Sequence, residues 1–181
     1  MSGRNMSLNK YLIAVLPPEP FAKEIYRLKE YFRDQYKSKA SLNSPAHITL
    51  HMPFEFDNEE KLLTKFNKLT FQPFTIELKD FGCFEPRVIF IAVKKNSELE
   101  ACQENVMDFC KSELGIYNAD YKNQPFHPHV TLAFRDLKKN VFQIAWGEFQ
   151  SKFYEATFEC RHIFLLKHDG RFWREFSYIS R

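Results

Sequence analysis

The sequence predicts an α+β fold of two similar lobes, with largely antiparallel sheets lining a central cleft and helices outside. Three observations carry this. Strands neighbour one another in the chain at 74–93 and again at 153–179. The second group is split by Asp169-Gly170, a strong two-residue hairpin signal. And one phrase occurs twice: "HITL" at 47–50 and "HVTL" at 129–132, 82 residues apart. Each copy follows a proline-containing loop and precedes a helical stretch, so the chain reads as two related halves.

The elements follow in order. "KYLIAVLP" (10–17) is a short apolar run ended by Pro17-Pro18 and predicts a buried strand. In 18–39, Phe21, Ile25, Leu28, Tyr31 and Phe32 fall near helical spacing, and the prolines suit a first turn. "AHITLHMPFEF" (46–56) alternates as a strand does. Asp57 is placed to cap "DNEEKLLTKFNKLT", whose acidic start complements the helix dipole. "FTIELKDFGCF" (74–84) and "RVIFIAV" (87–93) predict two strands joined by a Glu85-Pro86 turn. Residues 97–115 predict a helix with a Ser97/Glu100 capping box and a stop at Gly115. A polar loop (116–125) leads into "HVTLAF". "RDLKKNVFQIAWGEFQS" is helical, and extended stretches at 153–168 and 171–179 close the chain.

The 181 residues suit a single bilobal domain with a real core. A net charge of +3 suits a small anion or a short nucleic-acid end, and falls short of the phosphate contacts that hold a protein on duplex DNA. None of the four cysteines forms a C-x-x-C pair, and no stretch approaches the ~18 apolar residues of a membrane span. The N-terminus lacks a signal-peptide core. A cytoplasmic monomer with reduced thiols is expected, with no membrane partner.

On a strand, alternate side chains share a face. His47 and Thr49 therefore point one way while Ile48 and Leu50 point into the core. His129 and Thr131 repeat this, with Val130 and Leu132 buried. Two copies across a cleft give two imidazoles and two hydroxyls, an inventory for cleaving a phosphodiester. Imidazole titrates near pH 6.5, so one ring can be neutral while the other is protonated. The neutral ring takes a proton from attacking water, and the charged one donates to the departing oxygen. The threonines hold the non-bridging oxygens. No metal is needed, because a base activates the water. One H-x-T alone is a weak signal; two with matching parity are specific.

These residues resemble the two-histidine (2H) phosphoesterase superfamily, which includes bacterial RNA 2',3'-cyclic phosphodiesterases also known as 2'-5' RNA ligases. Its hallmark, two copies of His-x-Thr/Ser-x with x hydrophobic, is matched by "HITL" and "HVTL". "KYLIAVLPPEP", "FGCFEPRVIFIAV" and "QPFHPHVTLAF" are also similar to family stretches, and the resemblance spans about residues 10–175. It implies a bilobal, pseudo-twofold fold and hydrolysis of 2',3'-cyclic phosphate ends of RNA or related nucleotides, with weak reverse 2'-5' ligation. His47 would then be the acid toward the 3' oxygen and His129 the base, with Thr49 and Thr131 on the phosphate. The family arginine expected five residues after the second histidine is Phe134 here, and Arg135 follows it. Other activities with the same site are cleavage of 2'-5'-linked oligoadenylates or of cyclic nucleotide messengers. A different class is an RNA-end-binding module without turnover.

Several further residues are candidates for the cleft. His51 shares the parity of His47. Arg135 shares that of His129 if the strand continues. A base could stack on Tyr11, Phe54, Phe84, Phe126, Phe134 or Trp173, although with 20 phenylalanines most rings must be core. Arg87, Lys122 and Arg171 could meet a phosphate. His51 and His127 beside the motif histidines raise a zinc reading, which no cysteine or carboxylate at ligand spacing supports.

Overall fold

A computed structural model describes residues 8–117 and 125–181. Lys122 and most of the predicted polar loop lie outside them, as does the start of the chain. Strands β1 (Asn9–Val15), β2 (Ile48–Phe56), β3 (Phe74–Phe84), β4 (Val88–Val93), β5 (His129–Ala133), β6 (Glu155–Cys160), β7 (His162–His168) and β8 (Trp173–Ser180) alternate with helices α1 (Phe21–Tyr36), α2 (Glu59–Phe66), α3 (Ser97–Leu114) and α4 (Lys139–Phe149). The expected antiparallel sheets are joined into one, in the order β6-β3-β4-β5-β2-β1-β7-β8.

That order forces the sheet to curl. β6 and β7 are six steps apart, about 29 Å if flat, yet only Arg161 separates them in the chain. The extended stretch 153–168 is therefore two strands that break at Arg161 and lie far apart in the sheet order. The sheet's two halves are related across the β5–β2 seam. β1 and β2 are neighbours joined through α1, and β4 and β5 are neighbours joined through α3. The packing is crossed: α1 contacts β5, and α3 contacts β2. Each half's helix thus braces the other half's motif strand. Ile48, Leu50, Val130 and Leu132 are fully buried. Burying a side chain of this size contributes about 1.5–3 kcal/mol, so the motif strands are rigid platforms.

The helix ends differ from expectation by local capping. α2 is capped by Asn58, whose side chain accepts from Lys61 N at 2.8 Å, rather than by Asp57. α3 is capped by Asn96, accepting from Leu99 N at 2.8 Å, one residue before Ser97. Gly115 ends α3 at φ 68° as predicted. α1 stops at Tyr36, where Lys37 takes the left-handed conformation that glycine usually supplies. All four cysteines are unpaired. Among the described residues no helix is long and apolar enough to cross a membrane.

Candidate active site

The seam between the halves is held by one register pair, Ile48 with Val130. These are the middle residues of the two motifs. In an antiparallel ladder their neighbours then oppose in a fixed way: His47 faces Thr131, and Thr49 faces His129. Both histidines and both threonines share one face of the sheet, each only partly exposed, while the apolar residues go to the other. The two histidines occupy one diagonal of this four-cornered patch, about 7–8 Å across between side-chain roots, and the two threonines occupy the other.

The imidazoles are held alike. His47 Nδ1 lies 2.8 Å from Pro45 O, and His129 Nδ1 lies 2.8 Å from His127 O. A carbonyl only accepts, so each Nδ1 carries the hydrogen and each Nε2 is left for a substrate. The proline-containing loop before each motif thus supplies the carbonyl that fixes the tautomer. His129 also sits against Phe90 (4.9 Å between ring centroids) and Phe84 (5.2 Å). A side chain at Gly82 would collide with the Phe90 ring, at 2.4 Å, so that position needs glycine to seat the ring beside His129.

Both imidazoles are less basic than usual. Burial pushes His47 down to about 4, helped by the charges of Lys29 and His129 and opposed by the Pro45 carbonyl. Burial also lowers His129, with His127 adding to it and the His127 carbonyl opposing. Each ring is neutral in the empty cleft at neutral pH.

A cavity of about 490 Å³ runs from this patch toward the β7–β8 hairpin. His47, Thr49 and Thr131 line one end, and Lys10, His168, Arg171 and Trp173 line the other; Phe134 and Arg135 also border it. Three of these are cationic and none is a carboxylate, which suits an anion. The Arg135 guanidinium lies 5.2 Å from the Phe134 ring centroid, and its backbone carbonyl accepts from Arg87 Nη1 at 3.3 Å. β5 ends at Ala133, so Arg135 reaches the cavity from the following turn rather than by strand parity.

Three expected cleft residues lie in the core instead. Tyr11 is fully buried, and its hydroxyl donates to Glu59 Oε2 at 2.6 Å. Phe54 is 6% exposed and packs on Tyr11. His51 is fully buried, hydrogen-bonded to Met52 O at 2.8 Å and edge-on to Phe54. Its parity with His47 fails at a β-bulge, because Ala14 pairs with Thr49 while the next residue, Ile13, pairs with His51. The extra residue in β2 turns His51 inward. Phe84 and His127 pack beside His129. Among the described residues no cluster of three or more His, Cys, Asp or Glu is placed to hold a metal.

Sequence reasoning missed Lys29, Ser41 and Asp136. Lys29 is 2% exposed, and its ammonium donates to the carbonyls of Ser41 (2.9 Å), Ser44 (3.0 Å) and Pro45 (3.3 Å). Ser41 Oγ donates to Leu132 O at 2.6 Å, and the Asp136 carboxylate accepts from Ser38 Oγ and from Lys39 and Ala40 N. A lysine midway along the apolar stripe Ile25–Phe32 was the available signal.

The model of the 2'-5' RNA ligase superfamily matches residues 17–171. The chain belongs to that superfamily. It is the 2H phosphoesterase group that the two motifs resemble. Members similar to it include a protein of Geobacillus sp. (strain WCH70) assigned as a phosphoesterase, 30% identical over 169 residues, which span 89% of this chain and 90% of the relative. Among superfamily folds, LigT of E. coli, solved with 3'-AMP, superposes at a TM-score of 0.64 with 18% identity, covering 96% of this chain and 98% of LigT. A Thermus thermophilus protein, TT0787, superposes at 0.65, also 18% identical, covering 94% and 97%. These two likenesses carry the fold of the superfamily.

Proposed function

We propose that this phosphoesterase-superfamily member hydrolyses 2',3'-cyclic phosphate ends of RNA or related nucleotides, without a metal, by paired-histidine acid–base catalysis. The observation that carries the reading is the Ile48–Val130 register pair, which sets the two histidines diagonally about one spot. A phosphate centred there meets a ring on each side and a threonine hydroxyl on each remaining corner. Neutral His129 Nε2 takes a proton from water as its oxygen bonds to phosphorus. The bond from phosphorus to the 3' oxygen breaks, and protonated His47 gives that oxygen its proton, leaving a 2'-phosphate. Thr49 and Thr131 donate to the non-bridging oxygens. His47's low basicity makes its protonated form a strong acid, and the anionic phosphate draws that proton in. A 5'-hydroxyl attacking in place of water bonds to phosphorus as the 3' oxygen leaves, giving a 2'-5' linkage, which is weak 2'-5' ligation. E. coli LigT has been solved with 3'-AMP, NADP+ and ATP, which supports a nucleotide ligand.

The test is incubation with 2',3'-cyclic nucleotides in EDTA, with products read by phosphorus NMR. Conversion to the 2'-phosphate is expected. Cleavage of 2'-5' oligoadenylates alone, turnover of other cyclic nucleotides alone, or binding with no product would replace this reading.

Two expectations follow from the geometry. The ascending limb of kcat/KM is deprotonation of the base, and the descending limb is deprotonation of the acid. Both groups titrate low in the free protein, so both limbs move to acid and the optimum falls below about pH 6.5. A steady-state pH series checks this, and an optimum above about pH 7 or a flat profile would contradict it. At the far end of the cavity, Trp173 is placed to stack on a base. Trp173→Ala should raise KM for a cyclic-ended dinucleotide roughly 5–100-fold with kcat little changed, the range set by base–aromatic stacking. An unchanged KM would remove Trp173 from the binding surface.

A further inference from the structure

Lys29 is a buried ammonium to which the proposed chemistry gives no direct part. It projects from α1 into the loop that delivers His47. Its three acceptors are backbone carbonyls: Ser41 O, Ser44 O and Pro45 O. The third is shared, because Pro45 O also accepts from His47 Nδ1. One oxygen therefore links the ammonium to the imidazole. The same loop is also pinned to the second motif's strand by Ser41 Oγ on Leu132 O, and to the turn after it by Asp136, which accepts from the backbone of Lys39 and Ala40.

We propose that Lys29 is a positioning residue for His47, its ammonium fixing the Pro45 carbonyl that orients the ring. The inference rests on His47 being the working imidazole of the function proposed above. A lysine retained only to satisfy the loop would not need to face a histidine. Here the second cause of His47's low basicity, after burial, is this ammonium. Burial also pulls Lys29 itself down to about 7. The three carbonyls oppose that, since only the cation has three hydrogens to donate. The other charged group acting on His47 is His129 from β5, while Lys10, Arg135, His168 and Arg171 line the same cavity.

The test reads His47 without substrate. In the wild-type protein the His47 Cε1–H signal is followed by NMR across pH, alongside the Cε of Lys29. The expected curve has the ring's own inflection and a second one where Lys29 loses its proton. In Lys29→Met the ring's inflection should rise by about half a unit or more, and kcat on a cyclic phosphate should fall roughly 10–100-fold with little change in KM. Lys29→Arg keeps a charge and should restore the low inflection. A single inflection in the wild type, or a folded Lys29→Met whose His47 titrates as before, overturns the proposal. If Lys29→Met does not fold, the wild-type curve decides alone. Absence of turnover on cyclic ends would sink the proposed function while leaving this titration result standing.

Discussion

Replacing either motif histidine by alanine is expected to lower kcat on a 2',3'-cyclic phosphate by at least 10²-fold. A positioned acid or base is worth roughly 10²–10⁴ in rate, which is about 2.7–5.5 kcal/mol of barrier. The two rings stand on opposite corners of the patch, so in the proposed reaction neither can take over the other's proton transfer. Removing the first makes the second largely idle. His47→Ala/His129→Ala together should therefore lose little more than the worse single variant, because groups that act as a unit are not additive. Folding should survive, since both rings are partly exposed and Pro45 O keeps its bond from Lys29 Nζ. Steady-state rates beside circular dichroism and melting curves make the measurement. A folded single variant within tenfold of the wild-type rate would end the paired mechanism.

What could be read in advance follows the range of the forces involved. The motif residues were legible because strand parity is local, and Ile48, Leu50, Val130 and Leu132 had to be buried for His47, Thr49, His129 and Thr131 to face out together. Parity failed at His51 because a bulge in β2 is fixed by pairing with β1, a partner the local sequence does not show. Tyr11 leaves the cleft because its hydroxyl is committed to Glu59, 48 residues away in the chain. The single curled sheet was hidden for the same reason. The stretch 153–168 is extended throughout, and its two parts take different partners, β3 for 155–160 and β1 and β8 for 162–168, which the local sequence does not show. Lys29 is hard to read in sequence because its acceptors are backbone carbonyls, which carry no residue signature. A charged residue on the buried stripe of an amphipathic helix was nonetheless a readable anomaly.

The threonines carry the second large effect. Each hydroxyl stands directly across from the other motif's histidine, so a phosphate gripped by the rings has its free oxygens toward Thr49 and Thr131. Charge builds on those oxygens as water adds, and a fixed donor there acts more strongly in the transition state than in the ground state. Losing one buried donor of this type costs roughly 10²–10³ in known cases. This cleft is open to solvent, and water can replace part of the lost bond. Thr49→Val and Thr131→Val, which keep the shape and remove the hydroxyl, should each lower kcat about 10–100-fold, less than either histidine change. Thr→Ser at either position should recover most of the rate, since the donor returns without the methyl. In the proposed reaction the threonines hold different oxygens, so the double valine variant should approach the product of the two single losses, unlike the histidine pair. A valine variant that raised KM and left kcat untouched would show the hydroxyls binding ground and transition states equally, and their role would be capture rather than catalysis.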